Sequence, residues 1–181
     1  HSIHGGHGSS HGRGGPRIPA GFGELSGEVI DLTVGSGHRI VEGRRGPGIA
    51  VNGSVPGPLI RLREGQNVRL NVTNNLNTDT SIHWHGLLLP SGMDGVGGLS
   101  QPHIKPGETY AYEFTLRQHG SHMYHPHADE MTQMALGMMG LFIIHPRSAE
   151  PERIDRDYAF LLHNWALHPG TWRPDPSVMT D

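Results

Sequence analysis

The chain has 181 residues, with 14 Lys and Arg against 17 Asp and Glu and a formal net charge of −3. That length suits one full domain and the start of another, and so balanced a charge argues against nucleic acid or an anionic membrane as partner. No stretch is apolar for long enough to span a bilayer, and with no cysteine the chain can form neither a disulfide nor a thiolate metal site.

Three other counts are unusual: 27 Gly, 15 His and 7 Met, five of the methionines falling between Met123 and Met139. Imidazole and thioether groups are donors for copper-like metals, the thioether especially for Cu(I). The sequence opens at His1 rather than Met, as expected where a signal peptide, a longer N-terminus or cloning sequence has been removed.

Residues 1–23, HSIHGGHGSSHGRGGPRIPAGFG, are too poor in apolar side chains to fold alone and are expected to form a flexible tail. His1, His4, His7 and His11 could scavenge metal there; the plainer reading is a leader or cloning remnant. From Glu24 the pattern changes. GEVIDLTV and NVRLNVTNN alternate apolar and polar residues, with Val68, Leu70 and Val72 on one face. TYAYEFTLRQ does the same with Tyr110, Tyr112, Phe114 and Leu116. Such alternation predicts half-buried strands. The turn signals VNGSVPGP, REGQ, NNLNTD and KPGE lie between them, and short strands at this spacing predict a β-sandwich or barrel. A 3.6-residue period is sustained only in ADEMTQMALGMM. Met131, Met134 and Met138 there share a face behind Asp129 and Glu130, which suit a helix N-terminus. This stripe could bind Cu(I) or pack as flexible core. GLFIIHP predicts a fully buried strand. Residues 147–157 are charged and linker-like, and YAFLLHNWAL predicts one more strand. That strand has no obvious partner and is not stable by itself, so residues 147–181 are expected to begin a second domain, with Trp165 and Trp172 as its anchors.

Two histidine pairs stand out. In SIHWHGLLLP, His83 and His85 are separated by Trp84; on a strand both project to one side, with Cβ atoms roughly 6.6 Å apart, twice the strand rise. In HMYHPHADE, His125 and His127 repeat the spacing around Pro126, which lacks an N–H and belongs at a strand edge or end. Buried imidazoles need partners. Each pair can chelate one metal or serve two neighbouring ones, two such pairs on strands of one sheet can converge four imidazoles on a single spot, and nitrogen ligands without thiolate suit Zn, Cu, Fe or Ni. Asp94, Asp129 and Glu130 are close by in sequence, whereas His103, His119 and His122 read as loop residues.

The run SIHWHGLLLPSGMDGVGGLSQPHIKPGETYAYEF, followed by GSHMYHPH, resembles the N-terminal cupredoxin domain of the multicopper oxidases. HWHG, MDG, PG-x-x-Y-x-Y-x-F and YHxH fall in family order, and the resemblance covers residues 24–146 and, more loosely, the beginning of a second domain. It implies an all-β fold, a Greek-key cupredoxin-like β-sandwich. It implies that His83 binds the type 2 copper and that His85, His125 and His127 bind the type 3 pair, half of a trinuclear cluster where dioxygen is reduced to water. Asp94 matches a carboxylate that assists proton delivery; by its own context it reads equally as a turn residue before Gly95. The complementary HPxHxH and HCHxxxH motifs are absent, Pro102 stands where many members have Cys, and the type 1 blue copper needs a thiolate. The resemblance therefore implies a partner: a C-terminal cupredoxin domain of the same protein or of another subunit. It also implies dioxygen and a small reducing substrate (a phenol, an aromatic amine or a metal ion) and a periplasmic or extracellular location. Two alternatives stand beside it. One is a non-catalytic copper-binding or copper-resistance protein. The other is a dinuclear zinc hydrolase, since HPHADE partly resembles HxHxDH but lacks a histidine at position 130.

Overall fold

The computed structural model describes residues 23–148 and 154–177. Residues 1–22, with His1, His4, His7 and His11, and residues 149–153 of the charged linker lie outside the described residues. In chain order the strands are β1 Glu24–Leu25, β2 Val29–Val41, β3 Arg44–Val51, β4 Leu59–Arg63, β5 Asn67–Asn74, β6 His83–His85, β7 Thr109–Thr115, β8 Gly120–His125 and β9 Gly140–His145. A 3₁₀ turn covers Ser91–Met93 and one short helix, α1, covers Glu130–Ala135.

The strands form two sheets, ordered β1-β4-β9-β8-β6 and β3-β2-β5-β7. Period-2 patterning explains how they meet. Ile30, Leu32 and Val34 of β2, Val68, Leu70 and Val72 of β5, and Tyr112 and Phe114 of β7 turn inward from one sheet. Ile60 and Leu62, Phe142 and Ile144, Tyr124 and Trp84 answer from the other, and all join a single apolar core. Each such side chain, once buried, contributes ~1.5–3 kcal/mol. The result is the two-sheet all-β sandwich that alternation predicts. Trp84 is fully buried at its centre, with ring centroids 5.3 Å from Tyr112 and 5.8 Å from Phe142. The residue between the first two histidines is thus an anchor that pins their strand.

Four expectations need correction. GLFIIHP is not buried on both faces: in β9, Phe142 and Ile144 are buried but Leu141 and Ile143 only partly, because this sheet is covered by core on one side. The helical stripe is cut short. α1 ends at Ala135, and Gly137 turns the chain so that Met138 and Met139 enter the core, while Met131 stays 46% exposed. His122 lies within β8 rather than in a loop. Finally, residues 158–167 form no strand: Tyr158, Phe160 and Leu162 are exposed and, among the described residues, only the end of the run is paired, by an isolated bridge from Leu167 to Pro174. Alternation alone cannot make a strand where a hydrogen-bonding neighbour is lacking among the described residues.

The segment beyond is nonetheless held. Arg39, almost wholly buried on β2, donates from Nη2 to the Trp172 carbonyl and lies 5.1 Å from the Trp165 ring centroid. Arg44 sits 4.1 Å over Trp172. Both tryptophans, expected to anchor a second domain, stack on cations of the β2–β3 hairpin.

Candidate metal centre

β6 pairs antiparallel with β8 in a register that sets His83 opposite His125 and His85 opposite Met123. Because successive side chains alternate, Trp84 and Tyr124 face the core while His83, His85, Met123 and His125 share the outer face. The ligating nitrogens of His83, His85 and His125 all lie within 4.8 Å of one another. His127, two residues past the end of β8's ladder, has its ring 5.7 Å from that of His83 but stands outside the three-residue group; its Nε2 is 3.9 Å from Glu130 Oε2.

Hydrogen bonds set the tautomers. His83 Nδ1 donates to the Asp94 carbonyl at 2.6 Å, which leaves Nε2 with its lone pair free. His125 Nδ1 donates to the Pro126 carbonyl at 2.8 Å, again leaving Nε2 as the free donor atom. Backbone carbonyls in this role orient a metal-binding imidazole and raise its basicity. His125 Nε2 faces His85 Nδ1 at 3.2 Å, so one proton sits between two nitrogens at a place where a cation would satisfy both. His125 is 5% exposed, and burial lowers its pKa, which keeps it in the neutral form that a metal requires. Three imidazole nitrogen donors, two of them held by backbone carbonyls, fit a borderline metal such as copper.

Asp94 sits on the turn after the 3₁₀ segment, with its carbonyl on His83 Nδ1 and its carboxylate Oδ1 3.7 Å from the same nitrogen. The following glycine makes this possible. Gly95 has φ +84°, and a Cβ there would stand 1.7 Å from the Ile82 carbonyl oxygen, so only glycine lets the loop lie on the strand that carries His83. Strand β6 is set from within by Tyr112, whose hydroxyl accepts the Ile82 N–H at 3.2 Å and the Gln101 amide at 2.9 Å; burial pushes its phenol up to about 12.

Two supporting residues escaped sequence reasoning. Gln133 of α1 is buried, accepts the Thr80 hydroxyl at 2.6 Å and donates to the Asp79 carbonyl at 2.8 Å. It thereby ties the helix to the lead-in of β6, and nothing in its local sequence marks it. Met123 shares the histidine face; its position two before His125 on a strand is the signal that would have shown this. Glu130, noted only for proximity, places Oε1 3.5 Å from His125 Nδ1 as well as Oε2 near His127.

A family model described as multicopper oxidase matches residues 33–149. Copper resistance protein A of Pseudomonas syringae pv. tomato is 43% identical over 141 residues, 78% of this chain and 23% of that protein. An L-ascorbate oxidase of Brassica rapa subsp. pekinensis is 39% identical over 127 residues, 67% of this chain and 22% of that protein. The crystal structure of a multi-copper oxidase from Pseudomonas thermotolerans aligns with a TM-score of 0.67 at 32% identity, covering 72% of this chain and 32% of the other. The chain thus spans roughly a quarter of the length of the curated relatives it matches.

Proposed function

The chain belongs to the multicopper oxidase family, its sandwich is cupredoxin-like, and from that membership we propose that it supplies half of a trinuclear copper centre in an oxidase. The supporting observation is the convergence of three imidazoles within 4.8 Å on the outer face of paired strands, where a complementary surface can meet them. When bound, copper supplies the one-electron chemistry that couples oxidation of a small reducing substrate to reduction of dioxygen to water. In this reading His83 serves the type 2 ion, and His85, His125 and His127 serve the type 3 pair. Asp94 holds His83 by its carbonyl and offers its half-exposed carboxylate to protons on their way to the centre. The blue type 1 copper, which needs a thiolate, belongs to another domain.

The partner we propose is a further cupredoxin domain, from the same polypeptide or another subunit. The exposed row of Tyr158, Phe160 and Leu162 and the outward histidine face both support it. No helix among the described residues is long and apolar enough to cross a membrane; an exported location follows from the resemblance to copper-handling relatives and is part of the proposal. Family membership sets the zinc-hydrolase alternative aside. The non-catalytic alternative keeps one support, the likeness to a protein named for copper resistance.

One comparison separates the two copper readings. The full polypeptide, or this chain joined by its complementary domain, is loaded with copper, and oxygen uptake is followed with a phenol. Uptake that disappears in His125→Gln, along with stoichiometric copper, is the expected result. Copper retained with no oxygen uptake under any partner would overturn the oxidase in favour of the binding protein; uptake undiminished by His125→Gln would overturn the site.

A further inference from the structure

The outer face of β8 runs from solvent to the buried histidines in three steps. Ser121 is exposed, Met123 is half-buried and His125 is buried. The register sets Met123 between His85 on β6 and Leu141 on β9, so the thioether stands directly across from one imidazole and one step outward from another. Directly opposed side chains on antiparallel strands have Cβ atoms only ~4.5–5.5 Å apart, within reach of a shared ion for a flexible thioether. His85 is itself exposed, at the solvent end of the group.

Thioether sulfur is a soft donor that selects Cu(I) and adds little for Cu(II), while imidazole accepts both. We infer that Met123 and His85 form a Cu(I)-selective entry position at the rim of the histidine group. This rests on the copper reading of that group and adds the oxidation state in which the metal arrives. An ion captured there by one sulfur and one nitrogen lies next to His125 Nε2, which already faces His85 Nδ1 at 3.2 Å. His125 Nε2 would then take over from the thioether as the second donor. No electron changes hands in this step, and the protein supplies only donors. Leu141, half-buried, is Met123's partner on β9 and gives it an apolar neighbour on that side.

The test uses the 181-residue chain, with Cu(I) held reduced under anaerobic conditions and competed against a chromophoric Cu(I) chelator, and Cu(II) measured separately. Met123→Leu conserves volume and apolarity, so the fold is expected to persist, which the thermal midpoint reports. Cu(I) affinity should fall by about tenfold or more, while Cu(II) affinity stays within about twofold. Met131→Leu, on the exposed side of α1, should change neither. X-ray absorption of the Cu(I)-loaded chain should show a sulfur scatterer that Met123→Leu removes. A sulfur scatterer that persists in Met123→Leu, or an unchanged Cu(I) affinity with Cu(II) binding intact, would overturn this inference alone. Wild-type chain whose copper binding is unaffected by His85→Gln and His125→Gln would overturn the copper reading as well.

Discussion

Alanine at Gly95 probes how the Asp94 turn is seated on β6. The new Cβ would lie 1.7 Å from the Ile82 carbonyl oxygen, 2.5 Å from its carbon and 2.8 Å from the His83 Cα. All three are backbone atoms at the start of β6 and of the residue before it, so the turn must lift instead. Two costs add. A non-glycine residue at φ +84° costs ~1–2 kcal/mol, and lifting the turn breaks the 2.6 Å bond from His83 Nδ1 to the Asp94 carbonyl, a further ~0.5–1.5 kcal/mol. A total of ~1.5–3.5 kcal/mol corresponds to a loss of ~3–14 °C in thermal midpoint for a chain of this size. The freed imidazole also loses the carbonyl that fixes its tautomer, which weakens metal binding by ~10–100-fold. Gly107→Ala provides the control, because Gly107 has φ +81° but nothing within 4 Å of its added Cβ; it should show the conformational cost alone and keep full copper affinity. Circular-dichroism melts and a copper competition titration read both quantities. If Gly95→Ala matched Gly107→Ala in midpoint and in copper affinity, the steric coupling of this turn to His83 would be refuted.

Arg39→Met should release the segment that carries Trp165 and Trp172, at a cost of ~1–3 kcal/mol for the charge-assisted bond to the Trp172 carbonyl. Faster amide exchange in residues 165–175 checks this, and unchanged exchange there would count against the clamp. Burial lowers the pKa of His163, whose ring lies 4.5 Å from Trp165. The folded form therefore holds this imidazole neutral while the unfolded form takes up a proton below about 6.5. Its contribution to stability is complete above that pH and is lost as pH falls through the window beneath it. Tryptophan fluorescence of the docked segment should weaken over that range, and the weakening should be smaller in His163→Gln.

Most of the sandwich was legible because β2, β5 and β7 alternate cleanly, and alternation is what a one-sided sheet demands. β3 was not, since RRGPGIAV carries Gly46, Pro47 and Gly48. Proline is tolerated there because β3 is the edge of its sheet, a fact of topology that local pattern does not carry. The opposite error arose at Tyr158–Leu167, where the alternation is real but, among the described residues, backbone pairs only with its end, through Ala166 and Leu167. The histidine pairs could be placed on one face from spacing alone. Their convergence depends on the β6–β8 register, and the roles of Asp94's carbonyl and Gln133 depend on chain paths that fold back over 11 and 53 positions.

β6 is three residues long, lies at the margin of its sheet and, among the described residues, pairs only with β8. Between them the chain leaves for the other sheet to form β7 and then returns, so His85 and His125 meet across 40 positions. The order of assembly follows. A half-folded chain shows an incoming ion the His83–His85 pair apart from His125; only when both sheets have closed do the three become one group. On the proposed copper reading, metal uptake at full strength is therefore a checkpoint that an unfinished molecule cannot pass, and an ion held there would tie the edge strand β6 to the body of the sandwich.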